Sequence, residues 1–243
     1  MDTPTDLADI REKIDALDSQ MRDLLRARAG LVDAVALAKA RSSDDAPLRP
    51  AREAAQIEAL AAWQKTEAPN LPLAGLIAIW REIIGVGLAQ QGGLTIYHTA
   101  ESATAARAHF GASLSYRSCD TANQALAQAS AQAAQDKRAL AIIPLADAQT
   151  APKGLQLVAC LPLLGPATAL CYGLQNDEDG NVTLVQAGPE APLDERQIIY
   201  RDAVTVLGEM DGVLTDDDIR GQLGGDARTL GHYARPLARG SVS

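Results

Sequence analysis

Aromatic side chains are scarce in this chain: Phe, Trp and Tyr make up 3 % of its 243 residues, whereas hydrophobic residues overall reach 47 %. Alanine and leucine supply much of the remaining apolar surface. This composition is typical of globular proteins rich in helices and excludes disordered or fibrous classes. At this length the chain can form one large or two ordinary domains, and we expect two.

Cysteine is equally scarce, with three residues in the whole chain, Cys119, Cys160 and Cys171. They are widely spaced, form no CxxC motif and have no histidine nearby at zinc-binding spacing. We therefore predict that the three cysteines are reduced and serve as small hydrophobic residues, with neither a disulfide nor a metal site. The three histidines are too scattered along the sequence to suggest a site.

Basic residues are outnumbered, with 22 Lys and Arg against 31 Asp and Glu and a net charge of −9. No basic patch stands out, which argues against a nucleic-acid partner. The first residues lack the pattern of a signal peptide, and no stretch approaches the roughly 18 apolar residues of a membrane span. We therefore expect a soluble, cytoplasmic protein with no membrane partner. Any anionic ligand has to be captured by a few positioned cations.

The first helix is unusually long. Thr3 and Pro4 form a helix start, and helical periodicity then continues to about Arg41, roughly 35 residues or ~50 Å. A helix of this length with apolar residues every three or four positions usually needs a partner of equal length, most simply a second copy of itself. The apolar series consists of Leu7, Ile10, Ile14, Leu17, Met21, Leu24, Leu31, Val35 and Ala38.

Arg28 fills the gap in this series, where an apolar residue would be expected. A single arginine at such a position usually extends its head to water or pairs with an acid. Lys39, however, lies on the same face roughly 16 Å further along the axis, so the two side chains could hold a small anion between them. Arg11 lies about 25 Å from Arg28 on the same helix. In an antiparallel pair of such helices, it could enter the site of the partner chain.

Two shorter helices are predicted next, from about 51 to 65 and from 73 to 91, separated by prolines. The second helix begins with Arg52 and Glu53. Gln91 continues the apolar series of the third helix, and simple fraying beside Gly92 is the alternative explanation for it. We assign residues 1–92 to an all-α domain of three helices, ending in a flexible Gly92-Gly93 linker.

Residues 94–243 have a different texture and predict an α/β to α+β domain, so the chain is multidomain. A βαβαβ pattern extends through "RALAIIPL". The later segments "TALCYGLQ" and "VTLVQAG" are predicted to pair as a hairpin across "NDEDGN".

The segments "LADIREKIDALDSQMRDLLRARAGLVDAVALAKA", "PLRPAREAAQIEAL" and "IWREIIGVGLAQQ" resemble the all-helical, AroQ-class chorismate mutases over about the first 91 residues. The resemblance implies an intertwined homodimer that converts chorismate to prephenate in aromatic amino-acid biosynthesis, with no cofactor and no metal. It also implies one site lined by Arg28, Lys39, Arg52, Glu53 and Gln91, with Arg11 supplied by the partner chain.

The resemblance also implies a role for each of these residues. Arg11 and Arg28 each hold a carboxylate of the substrate, and Arg52 assists at the ring. Glu53 accepts a hydrogen bond from the substrate hydroxyl. The catalytic donors to the ether oxygen are Lys39 and Gln91, which with Arg28 make up the catalytic set. The sequence departs from the family at Arg49, often an acidic residue, and at Gly87, often a small hydroxyl residue.

The C-terminal half resembles a degenerate prephenate dehydratase with an ACT-like end, on the segments "AARAHFG" and "MDGVLTDDDIRGQL". The dehydratase Thr-Arg-Phe signature is reduced to "TAL" at 168–170, which predicts no second active enzyme. Three roles stay open: a structural cap, which we favour, an effector-binding module, or a surface that docks another pathway enzyme. For the whole protein, an isochorismate-pyruvate lyase of the same fold and a catalytically silent scaffolding dimer are the alternatives.

Overall fold

The computed structural model describes residues 6–39, 48–136, 138–174 and 180–236. Helices come first and sheets follow, as the multidomain all-α then α/β prediction required. By packing, the chain divides into two compact units, Met1–Asp45 and Ala46–Ser243. The predicted helix start at Thr3 and Pro4 lies outside the described residues, and the predicted domain boundary after residue 92 stays a prediction.

The first unit contains helix α1 (Leu7–Lys39), which is 33 residues long. None of its residues is buried. The apolar series predicted from the sequence is present on it as an exposed stripe, and Leu24 and Leu31 each expose 70 % of their surface. Helix α1 therefore exposes an apolar stripe of the kind that a helix of a globular protein normally buries against its core.

The second unit begins with two antiparallel helices, α2 (Pro50–Glu67) and α3 (Leu73–Gln90). Pro50 stands in the first turn of α2, where its missing N–H costs nothing, and Pro72 precedes α3. The two helices share a small apolar cluster. Its buried members are Ile57, Leu60, Leu76 and Ile77.

The first sheet has five strands in the order β2-β1-β3-β5-β4. Strands β1, β2 and β3 are parallel, as the βαβαβ prediction required, and β5 runs antiparallel between β3 and β4. The elements are β1 (Thr95–His98), α4 (Ala103–Phe110), β2 (Ser115–Ser118), α5 (Ala122–Asp136), β3 (Ala139–Pro144), β4 (Leu155–Leu161) and β5 (Ala169–Leu174).

The second sheet is antiparallel, with the order β7-β8-β6-β9. Its elements are β6 (Val182–Ala187), β7 (Ile198–Arg201), β8 (Val206–Asp211), α6 (Asp216–Leu223) and β9 (Arg228–Tyr233). The predicted hairpin of "TALCYGLQ" and "VTLVQAG" is wrong, because these segments are β5 and β6 and belong to different sheets. Strand β5 already has β3 and β4 on its two edges, so no edge remains for β6.

The two faces of the first sheet pack against different layers. One face joins α5 and the second sheet in a single core that includes Leu157 and Tyr172. The other face packs against α3 and α4, where Ile84 and Leu88 of α3 meet Phe110. Helices α3 and α4 approach so closely that a Cβ on Gly85 would lie 2.3 Å from the main-chain oxygen of Phe110.

The connection from α3 to β1 is hydrogen-bonded rather than free. The Gly93 N–H donates to the Leu88 carbonyl at 3.0 Å, and Arg138 Nη1 donates to the main-chain oxygen of Gln91 at 2.5 Å. Gly92 has a φ of 103°, a conformation that favours glycine at a helix end. The flexible linker expected at Gly92-Gly93 is therefore a fixed corner.

Helix α3 is also long and apolar enough, by length and composition, to cross a membrane. The expectation that no stretch approaches this length was too strict. Core helices of globular units pass the same test, and α3 buries Leu76, Ile77, Ile84 and Leu88 within its own unit. Its charged pair Arg81-Glu82 stands mid-helix, and Arg81 is buried.

Candidate active site

Three of the predicted site cations, Arg11, Arg28 and Lys39, lie on α1. Arg28 and Lys39 are half-buried, whereas Arg11 is exposed. For contrast, Arg26 on the same helix forms an ordinary surface pair with Asp23, at 3.1 Å and with both side chains mostly exposed. Helix α1 thus carries two kinds of cation, and the two predicted to share a site are the less exposed ones.

The remaining predicted residues belong to the second unit. Arg52 and Glu53 lie in the first turn of α2, where the unpaired N–H groups of the helix end favour a carboxylate. Arg52 is exposed and Glu53 is buried. The Glu53 main-chain N–H donates to the Arg49 carbonyl at 2.9 Å, so its backbone position is fixed by the first helical hydrogen bond.

The Glu53 carboxylate has a cationic partner on the neighbouring helix. Arg81 Nη1 donates to Glu53 Oε2 at 2.6 Å, and the Arg81 side chain is 2 % exposed. Arg81 Nε also donates to the main-chain oxygen of His109 at 2.5 Å. Its guanidinium carbon lies 5.8 Å from the centre of the Phe110 ring. Arg81 therefore contacts both α2 and the end of α4.

A pocket opens beside this pair, with a cavity volume of about 20 Å³. Its polar members are Glu53, Arg81, His109 and Cys171, and the rest of its lining is apolar. Burial, and then the charge of Arg81, hold the pKa of His109 well below its usual range, so His109 is neutral at pH 7. Burial raises the pKa of the Cys171 thiol. The charges in the pocket are thus one cation and one carboxylate, in direct contact.

Gln91 follows the last residue of α3. Its side-chain Nε2 donates back to the Gly87 carbonyl at 3.2 Å, and its Oε1 is buried with no hydrogen-bond partner among the described residues. Its main-chain oxygen accepts from Arg138. Gln91 is therefore held in place rather than frayed, with its amide folded onto its own helix.

Residues 10–92 match the family model described as chorismate mutase type II. No curated protein and no solved structure matches the chain. The match supports chorismate mutase activity, which is an isomerase activity of aromatic amino-acid biosynthesis, for these residues, which we call the mutase segment. It ends before β1, and the resemblance of the C-terminal half to a prephenate dehydratase and ACT region stays a prediction.

Within the mutase segment, the sequence reasoning missed Arg81. The signal was present, because Arg81 interrupts the apolar positions Ile77, Ile84 and Leu88 in the way that Arg28 interrupts the stripe of α1. The structure brings Arg81 and Glu53 together in one unit, whereas Arg11, Arg28 and Lys39 lie in the other unit. The described residues contain no group of three or more His, Cys, Asp or Glu that could hold a metal ion.

Proposed function

We propose that the protein is a chorismate mutase that rearranges chorismate to prephenate, acting in the biosynthesis of phenylalanine and tyrosine. The observation that carries this proposal is the family match over residues 10–92, within which all four predicted cations, Arg11, Arg28, Lys39 and Arg52, are present. The net charge of −9 gives no general attraction for a dianion, so binding has to come from these positioned groups.

The reaction is a Claisen rearrangement, in which one ether C–O bond breaks and one C–C bond forms without gain or loss of atoms. It needs no nucleophile and no proton transfer. In our proposal Arg28 and the partner's Arg11 each bind a carboxylate, since a planar guanidinium binds carboxylates in a bidentate manner. Lys39 and Gln91 donate to the ether oxygen, where negative charge builds up in the transition state. Arg52 contacts the ring side of the substrate, and Glu53 accepts from its hydroxyl.

The proposal includes a homodimer. Helix α1 has no buried residue, and its apolar stripe includes Leu17, Met21 and Leu24, each more than half exposed. Antiparallel pairing of two such helices would bury both stripes and bring Arg11 of one chain beside the middle of the other helix.

The first experiment is chorismate consumption by the purified full-length protein, followed by ultraviolet absorbance at neutral pH. Acid conversion of the product to phenylpyruvate identifies prephenate. The Arg28→Ala variant is the negative control, because it removes a contact to the substrate anion and leaves an exposed helix intact.

Two other outcomes would contradict the proposal. Turnover of isochorismate with release of pyruvate, and none of chorismate, would identify a lyase. A folded dimer that turns over neither compound would be a scaffolding protein.

A further inference from the structure

Arg81 is an unusual residue for its place in the fold. It stands between Ile77 and Ile84 on the buried face of α3 and is 2 % exposed. Arginine is almost never fully buried unless it is paired, and Arg81 is paired with a residue of the proposed active site. Packing against apolar neighbours therefore does not explain why an arginine occupies this position.

Stability alone is a weak reason for this pair. The desolvation energy lost when an arginine and a carboxylate are buried often exceeds the energy of their attraction. Apolar residues of similar volume frequently give a protein of equal or greater stability. Arg81 adds to this cost because its Nη2 is buried with no hydrogen-bond partner among the described residues. Another ion pair of the second unit differs, since the half-buried Arg235 uses Nη1 for the buried Glu209 at 2.6 Å and Nη2 for the exposed Asp211 at 3.0 Å.

The proposed chemistry supplies a stronger reason. Glu53 has to accept a hydrogen bond from a substrate that carries two negative charges, so an uncompensated carboxylate would repel the substrate it binds. Arg81, 2.6 Å from Glu53 Oε2, compensates that charge. It also fixes the rotamer of the carboxylate, because Arg81 itself is anchored through Nε to the main-chain oxygen of His109.

We propose that Arg81 is a positioning residue of the mutase site: it compensates the charge of the Glu53 carboxylate and orients it for the substrate hydroxyl, with the α/β region serving as its anchor through His109. This inference rests on the proposed function. It gives the C-terminal region a defined task, because α4 supplies the carbonyl that aims Arg81. Arg81 acts through Glu53 and does not touch the substrate.

The test is a double-mutant cycle on chorismate turnover with full-length Arg81→Met, Glu53→Gln and the double variant. Glu53 contacts the substrate in the ground state and in the transition state, so its loss raises KM more than it lowers kcat. We expect about a tenfold higher KM in each single variant, the size of one charge-assisted hydrogen bond. The double variant should have the KM of Glu53→Gln, because Arg81 has nothing left to position.

Arg235→Met is the control for the loss of an arginine that pairs with a buried carboxylate, and it should leave KM unchanged. A purely structural role for Arg81 would lower the amount of folded enzyme, hence the apparent kcat, and leave KM alone. That result, or a double variant with a KM well above that of Glu53→Gln, would overturn the inference. If Arg81→Met does not fold, Arg81→Gln, which removes the charge but keeps a hydrogen-bond donor, takes its place in the cycle. The same rise in KM of about tenfold is expected, and an unchanged KM in folded Arg81→Gln would overturn the inference. A wild-type protein without chorismate turnover would overturn the proposed function and this inference with it, whereas an active wild type with an unchanged Arg81→Met overturns the inference alone.

Discussion

Helices α1 and α3 both belong to the mutase segment, yet they use their apolar residues in opposite ways. Helix α3 buries Leu76, Ile77, Ile84 and Leu88, and its mid-helix cation Arg81 finds a carboxylate in the same chain. Helix α1 is nearly twice as long and buries no residue. The chain therefore supplies a packing surface for one face of α3, whereas the apolar stripe of α1 stays exposed. Both helices carry a cation within an apolar series. In α3 this cation, Arg81, pairs with a carboxylate of the same chain, whereas in our proposal the cation of α1, Arg28, binds the substrate.

The largest effect should come from placing a charge on the exposed stripe of α1. Leu17→Glu would put a carboxylate at the centre of the proposed dimer interface, where burial of an unpaired charge costs several kcal/mol. We expect a monomer in sedimentation or size-exclusion measurements and loss of mutase activity. Ser19→Glu adds the same charge about 200° around the helix and should keep the dimer. A dimer that survives Leu17→Glu would show that α1 pairs through another face.

The next effect separates function from stability on α1. Arg28→Ala should lower kcat/KM by at least about a hundredfold, since a charged contact to the substrate anion is lost. Its free energy of unfolding should change by less than this loss of transition-state stabilisation, because Arg28 is half-buried and no residue of α1 is buried. Arg26→Ala, which removes an exposed cation of the same helix, is the control for both measurements. Wild-type kinetics in Arg28→Ala would contradict the site proposed here.

Substitutions on α3 should change stability, in contrast to Arg28→Ala on α1, which should mainly change activity. Gly85→Ala should reduce the free energy of unfolding by about 1–3 kcal/mol, because its Cβ meets the rigid backbone of Phe110 and the helices must separate. Gly75→Ala, at a position of α3 with no atom near the new Cβ, should be neutral or stabilising by up to about 1 kcal/mol. Denaturant unfolding measures both. Equal stability of the two variants would mean that α3 does not pack tightly on α4.

The smallest effect is a pH dependence at the same contact. Burial keeps His109 neutral in the folded protein with a lowered pKa, whereas the unfolded chain binds its proton below about pH 6.5. The unfolded state therefore gains protons as the pH falls, and the contribution of His109 to stability, present above that pH, is lost in acid. The fall in Tm between pH 7.5 and 5.5 should be smaller in His109→Gln than in wild type. Equal falls would show that His109 is not the group responsible.

Much of the helical part could be predicted from the sequence. Periodicity and prolines located α1, α2 and α3 to within a few residues of their observed ends, because these signals are local. The βαβαβ order was predicted for the same reason. The β5-β6 hairpin failed because an apolar run indicates that a strand forms and says nothing about its neighbours. Strand β5 takes its partners from segments 139–144 and 155–161, a choice made by the whole sheet.

For the candidate site, the sequence could predict which residues are candidates but not which of them contact one another. The spacing of Arg28 and Lys39 on one helix is a local property, whereas the pairing of Glu53 with Arg81 joins positions 28 residues apart across two helices. Helix periodicity marked Arg81 as a cation on a buried face, but its partner depends on how α2 crosses α3. Gln91 shows the same limit, since Arg138, which binds its main-chain oxygen, is 47 residues away.

The fixed corner between α3 and β1 affects the expression of the mutase segment as a separate fragment. A fragment ending at Gly92 would lose Arg138 from the carbonyl of Gln91, leave the Arg81 guanidinium without its His109 acceptor, and expose the Ile84 and Leu88 side chains that now pack beneath the sheet. The family match ends at residue 92, but the contacts of α3 continue across that position into the α/β region. A mutase module cloned to that limit should be obtained as an insoluble or aggregating product.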